Sequence, residues 1–412
     1  MSPMKRRDFL IGGAAAGAGA ALSQVPGVGG QSVARGAATG EETSLTTNVP
    51  FEGMHQAGVL TERPPVAVLI AMDAIAPKRA DLAEGLRRLS ARARELATGY
   101  DALLGSPTEG PTPDSGVLGP RVEPDALTVT IGFGSSLFDD RYGLAKRKPT
   151  GLKPMTTFPD DALVAAECHG DVMLQLCANT GETLQNALRD LMRAARDSLA
   201  PRWKIEGWLP DPSRESGAGR NLLGFKDGTS NPDVGDGALM DELVWIGDEE
   251  GEWARGGTFQ VVRIIRNRVE FWDRVARTEQ ELMIGRDKAV GAPLGRSEEG
   301  DEPGYEDDPK GERIPLDAHI RAARPREPDT EKSRILRRSY NYSRGIDLSG
   351  QLDQGLVFVA FNRDLERQFE ATQRRLEGEP LIDYVVPTGG GYFFVPPGAR
   401  DSRDWVGSGL FY

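Results

Sequence analysis

The sequence is poor in the residues that build the commonest metal and nucleophile sites. Its 412 residues include 2 cysteines and 3 histidines, so a metal held by three imidazoles would have to use His55, His169 and His319 together. Cys168 and Cys177 lie nine positions apart in one strand-like run. An extended chain would separate them by ~30 Å, far beyond disulfide reach, so both are expected as buried thiols. There is no Gly-Lys-Ser/Thr phosphate loop, no His-Glu-x-x-His, no Cys-x-x-Cys-His and no Gly-x-Ser-x-Gly, which removes most easy assignments. Gly389-Gly390-Gly391 precedes a strand and not a helix; it reads as a turn and cannot cradle a dinucleotide.

Long apolar runs are also missing. The nearest, Ile11 to Leu22, is Gly-rich and shorter than the ~20 residues a membrane helix needs, so no stable membrane insertion is expected. It follows Lys5-Arg6-Arg7-Asp8-Phe9-Leu10, and together the two read as a twin-arginine export signal, with Lys5 and Ile11 departing from its usual residues. Residues 23–50, rich in Gly, Ser, Thr and Ala, read as cleavage region and tether. That route, through the twin-arginine translocase, carries folded proteins and suits an enzyme that receives its cofactor before export. A secreted or periplasmic location follows. Net charge is −12; the first 40 residues carry +3, leaving about −15 on the rest, which argues against nucleic acid as a partner.

What the chain does have is two passes of one pattern. Val66–Met72 reads as a strand, Asp81–Ala97 as a helix, Leu127–Phe133 and Leu163–Cys177 as strands, Thr183–Leu199 as a helix and Trp203–Leu209 as a closing strand. The order recurs with Phe259–Ile265, Val269–Ile284, Arg334–Tyr342, Leu356–Phe361, Asp364–Leu376 and Tyr392–Val395. We therefore expect an α+β fold of two ferredoxin-like halves (β-α-β-β-α-β), residues 51–213 and 214–412, each an antiparallel sheet with helices on its outer side. Free edges of the two sheets could pair subunits into a homo-oligomer. Ser297–Glu312, with eight acids and one Lys, reads as a solvated loop.

Three segments can carry chemistry. His319 ends the run Ile314-Pro315-Leu316-Asp317-Ala318, where an imidazole on an apolar turn suits one axial bond to a large planar cofactor. In Gly224-Phe225-Lys226-Asp227-Gly228-Thr229-Ser230-Asn231-Pro232, two glycines four apart permit a tight turn that holds Asp227 and approaches a flat ligand closely. Arg334–Tyr342 alternates like a strand, so Arg337 and Arg338 cannot both face one pocket.

These segments resemble the dye-decolourising peroxidases: Gly-x-x-Asp-Gly at 224–228, His319 followed by Arg321 and Pro325-Arg326, and the Leu-Arg-Arg strand. Pro50–Gly58, His169-Gly170-Asp171 and Ile284-Gly285-Arg286 extend the similarity across the mature chain, while Ser339 departs from the Gly that many relatives carry. The resemblance implies one non-covalent haem b in the C-terminal half. His319 would be its iron ligand, Asp227 and Arg337 the peroxide-side acid–base and charge-stabilising residues, and Gly224, Phe225, Lys226, Gly228 and Thr229 part of the cofactor wall. Hydrogen peroxide would be one substrate and a dye or other small electron donor the second. A carboxylate partner for His319 is expected at Asp383, with Asp317 as the nearer rival. Because a carboxylate base stays ionised in mild acid, where an imidazole would be protonated, an acidic activity optimum is expected. Electrons from a bulky donor would arrive through surface aromatics; of Trp245, Trp253, Trp272, Tyr340, Tyr342 and Tyr384 in the haem-bearing half, most read as core packing and none is singled out as a relay. Two other readings stand beside peroxidation: an exported protein that releases iron from haem, and an exported binding module without haem.

Overall fold

The computed structural model describes residues 45–102 and 112–412; the export signal and most of the tether lie outside the described residues. In the N-terminal half, β1 (Val66–Ala74), β2 (Thr128–Gly134), β3 (Val172–Ala178) and β4 (Leu199–Trp208) form an antiparallel sheet in the order β2-β3-β1-β4. Helices α1 (Arg79–Thr98) and α2 (Gly181–Ala195) connect them. Residues Leu82, Leu86, Leu89, Ala93 and Leu96 recur at helical spacing on α1 and are buried, packing with Val68, Ile70 and Met72 of β1 in one cluster.

The C-terminal half repeats that topology. Here β5 (Thr258–Asn267), β6 (Tyr340–Ile346), β7 (Leu352–Asn362) and β8 (Val385–Val395) run β8-β5-β7-β6, again antiparallel. This bears out the two ferredoxin-like halves. The halves also share one sheet: Trp208 of β4 pairs with Asn341 of β6, Gly134 of β2 with Phe393 of β8, and the β5–β7 pairing closes the ring into a barrel. The sheet edges that the sequence left open to another subunit are thus taken up by each other. Leu69, Ala71, Met173, Val262, Val359 and Phe361 fill the barrel interior. Gln56 ties the seam, its amide donating to Ile131 and Pro396 carbonyls at 2.9 Å each.

The differences from expectation cluster in the C-terminal half. Gly389–Gly391 is not a turn but part of β8, where the register shifts between Pro387 and Gly389. Glycine is needed there: Gly390 has φ +122°, and an added Cβ would meet the Val262 carbonyl at 1.9 Å. The expected helix 269–284 breaks into Val269–Trp272 and α3 (Arg277–Ile284). The expected helix 364–376 becomes a π-turn, Glu366–Glu370, followed by α5 (Ala371–Arg375), with α4 (His319–Ala323) lying before them in the chain. In the N-terminal half, Cys168 lies outside β3, yet it and Cys177 are buried and unpaired as expected. Among the described residues, no helix is long and apolar enough to cross a membrane.

Candidate active site

Short, interrupted helices hold themselves off the C-terminal sheet and leave a cavity of about 290 Å³ on its outer face. Ile265, Leu356, Phe358 and Val385 form its floor, and Phe369, Leu376 and Leu381 its sides. The Gly224–Gly228 turn enters from one side. Both glycines sit in the left-handed region, φ +87° and +112°, and Asp227 N donates to Gly219 O at 2.9 Å. The carboxylate Oδ1 of Asp227 accepts from Arg337 Nη1 at 2.8 Å, each side chain about a quarter exposed. Asn231 fixes the arginine's backbone from both sides, accepting from Arg337 N at 3.2 Å and donating to Arg337 O at 2.8 Å. Arg338 points the other way, to the carbonyls of Thr61 and Glu62, as strand alternation required.

His319, the first residue of α4, lines the same cavity. Its Nδ1 bonds both oxygens of Glu379, at 3.0 and 2.8 Å. Burial works against a charged ring here, but the Glu379 charge and hydrogen bond outweigh it and hold the His319 pKa above the ordinary imidazole value. Asp383 and Asp317 are both exposed, and neither is the partner. Asp383 closes the short turn Pro380–Asp383, whereas Glu379 stands just before it and is 7% exposed.

The rest of the expected wall divides. Phe225, Lys226, Gly228 and Thr229 line the cavity, but Gly224 does not. Lys226 directs its ammonium to Ser216 O at 2.6 Å and Glu299 at 2.8 Å, and the Thr229 hydroxyl donates to Glu299 at 2.7 Å. The acidic segment is therefore not wholly solvated: Glu299 braces the Gly-Asp turn, and Asp308 is 6% exposed and accepts from three backbone amides. Sequence reasoning also missed Asp160 and Asp161, which the N-terminal half contributes to the cavity. Asp161 pairs with the buried guanidinium of Arg263.

The sequence profile of the Dyp-type peroxidase N-terminal domain matches residues 56–209, and that of the C-terminal domain matches residues 218–400. The chain belongs to the Dyp-type peroxidase family. It is 49% identical over 371 residues to a deferrochelatase of Escherichia coli O157:H7, covering 88% of this chain and 86% of that protein. To the deferrochelatase of Escherichia coli K12 it is 46% identical, covering 99% and 97%. Among solved structures, a DyP-type peroxidase from Cellulomonas bogoriensis superposes with TM-score 0.79 at 36% identity, covering 89% of this chain and 98% of that one. Ferric DtpA from Streptomyces lividans gives TM-score 0.80 at 34% identity, covering 90% and 98%.

Membership makes this Dyp-type peroxidase an oxidoreductase with a haem cofactor, and the cavity fits that group. With Nδ1 engaged by Glu379, Nε2 is the His319 nitrogen left for a metal bond. Phe225, Ile265, Leu356, Phe358, Phe369 and Leu381 give the lining an apolar surface for a macrocycle, with charged side chains set among them. Arg324, Arg334 and Arg375 line the cavity, and the buried Arg334 Nε has no hydrogen-bond partner among the described residues, which suits carboxylate substituents.

Proposed function

We propose that this chain is an exported haem b peroxidase that cleaves hydrogen peroxide and oxidises dyes, phenols or other one-electron donors. In this reading His319 holds the iron while Asp227 and Arg337 act on peroxide. The observation that carries it is the arrangement of two charged pairs, His319–Glu379 and Asp227–Arg337, around one cavity with an apolar floor. Bound haem supplies the redox chemistry that cleaves the O–O bond and later accepts single electrons from the donor.

The chain's own residues manage protons and charge. An Asp227 oxygen takes a proton from one peroxide oxygen and returns it to the other, so that the departing oxygen leaves as water. Arg337 Nη1, held beside that carboxylate, stabilises negative charge on the departing oxygen, and Asn231 fixes where the strand presents it. Glu379 accepts from His319 Nδ1, which orients the ring and raises its donor strength at Nε2. Export by the twin-arginine route is supported by Arg6-Arg7 and by the short apolar stretch that follows them.

The relatives named deferrochelatases favour a second reading, removal of iron from haem, in which the same residues serve haem binding. One preparation separates the two. Protein loaded with haemin is incubated with peroxide and an anthraquinone dye, and separately without peroxide, followed by extraction of the tetrapyrrole. Dye loss that needs peroxide and leaves haem intact supports the peroxidase; metal-free porphyrin with no dye loss overturns it.

A further inference from the structure

We propose that Arg338 is a positioning residue for Arg337: by clasping the arm that precedes β1, it lets the N-terminal half set where the peroxide-side guanidinium stands, a role that rests on the peroxidase reading. The sheet holds Arg337 on one side only. Its strand, Leu336–Arg337, has two residues and stands last in the strand order, paired with β7. Pairing with β7 resumes at Tyr340 in the same register, and between the two stretches side chains take over from the ladder. Arg338 N still donates to Val359 O at 2.8 Å. Val359 N, however, donates to the Ser339 hydroxyl at 3.4 Å, and the carbonyls of Arg337 and Ser339 accept from Asn231 Nδ2 and Arg63 Nη1, each at 2.8 Å.

The fork of Arg338 donates to two consecutive carbonyls of the arm, Thr61 O at 2.5 Å and Glu62 O at 3.3 Å. The next two arm residues return the contact: Arg63 donates to Ser339 O, and Pro64 O accepts from the Tyr340 hydroxyl at 3.2 Å. Four consecutive arm residues thus meet the three residues that directly follow Arg337. The arm is itself anchored in the N-terminal half. Ala57 O accepts from the Thr130 hydroxyl of β2 at 2.6 Å and Gly58 O from Gln175 Nε2 of β3 at 3.1 Å, and the seat is tight, since a Cβ added at Gly58 would meet Thr130 Oγ1 at 2.1 Å. Stability alone does not explain an arginine at 338. It is 6% exposed, both of its bonds go to neutral carbonyls, and its buried Nε has no hydrogen-bond partner among the described residues. A cation held that way is costly to bury; what it supplies is a planar fork matched to two neighbouring carbonyls.

Arg338→Ala and Arg338→Lys are each made in the wild type and in Arg337→Ala, and the proteins are loaded with haem. Three quantities are read: the bimolecular constant with peroxide, the affinity of the ferric protein for fluoride, and the affinity for haemin. Fluoride is an anion that a neighbouring guanidinium stabilises, so it reports the placement of Arg337 without turnover. In the wild type, Arg338→Ala is expected to lower the peroxide constant and the fluoride affinity about tenfold each, and Arg338→Lys, which keeps the charge and loses the fork, about threefold, with haemin affinity unchanged in both. In Arg337→Ala the same changes should move either constant by no more than a factor of about two, because the group they position is gone. Equal factors in the two backgrounds, or wild-type constants in the Arg338 variants, would overturn the clasp; should Arg338→Ala fail to fold, Arg338→Lys decides by the same criteria. A haem-loaded wild type that binds fluoride and does not react with peroxide would instead overturn the peroxidase reading, and the fluoride affinities would still decide the clasp.

Discussion

The two halves of the barrel share a strand order, and their outer faces have opposite fates. In the N-terminal half, helices of 20 and 15 residues lie along the sheet, and their leucines leave no room for a ligand. In the C-terminal half, α3, α4 and α5 have 8, 5 and 5 residues, too short to cover the sheet. The equivalent face carries Arg263, Ile265 and Asn267 on β5 and opens into the cavity. One half supplies burial and the other supplies space. A site that must hold a large group is built where the same topology is left under-packed, and the well-packed half anchors the barrel that positions it.

This contrast can be broken first at its chemical end. His319→Ala removes the one imidazole in the cavity, and the haem-loaded protein is expected to lose its Soret band, or to retain haem at least about 100-fold more weakly. A titration with haemin measures it; unchanged affinity would show that the space alone holds the cofactor.

The packed face is tested by Leu86→Ala. Leu86 is 1% exposed, and truncating a core leucine costs about 2–5 kcal/mol. Denaturant unfolding of the apo-protein should show that loss, while haem affinity and peroxide kinetics stay put. Leu356→Ala on the cavity floor should do the reverse, weakening haem binding with little effect on apo-protein stability. If both substitutions cost the same stability, the division of labour between the halves is wrong.

Arg337→Ala separates catalysis from cofactor retention within the open half. Loss of a preorganised charge-stabilising donor costs roughly 10²–10³ in rate, so the variant should keep its haem spectrum and react with peroxide that much more slowly. Stopped-flow rates equal to wild type would remove Arg337 from the mechanism. Glu379→Gln, with an expected effect of about 10–100-fold on cofactor affinity, should also shift the reduction potential of the haem-loaded protein. A potential unmoved by Gln would mean that Glu379 only orients the ring.

Legibility in the sequence follows the same division. The N-terminal half was readable because α1 and β1 bury regular stripes, Leu82, Leu86 and Leu89 against Val68 and Ile70, and periodicity reports burial. In the C-terminal half, the turn with Asp227 and the alternation that separates Arg337 from Arg338 were also readable, since both are local backbone properties. The partner of His319 was not. Glu379 and Asp383 are four apart beside one proline, and only the direction of the turn decides which carboxylate reaches the ring. Glu299 and Asp161 were illegible for a different reason: each meets its partner across a large sequence separation, and Glu299 does so from a segment whose composition reads as solvated loop.

The smallest expected effect concerns how the C-terminal tail seals the packed half. Asp404 Oδ2 accepts from Arg400 Nε and Oδ1 from the Ser408 hydroxyl, both at 2.7 Å, and the next residues, Trp405 and Val406, join the N-terminal core. Burial pushes the Asp404 carboxyl up, but the bonds from Arg400, Ser408 and two backbone amides outweigh it and hold the pKa at about 2. A pKa depressed below the unfolded value means that the ionised form binds the folded state better. The stabilisation is therefore complete above the ordinary carboxylate pKa and is lost as pH falls toward 2. With a side chain 10% exposed, the contribution is at most about 2 kcal/mol. Asp404→Asn should lower the apo-protein Tm by a few degrees at pH 7, and its deficit against wild type should shrink as pH falls from about 4 toward 2. A deficit that stays constant across that range would mean that the tail is held by Trp405 and Val406 alone, with no share from the charge.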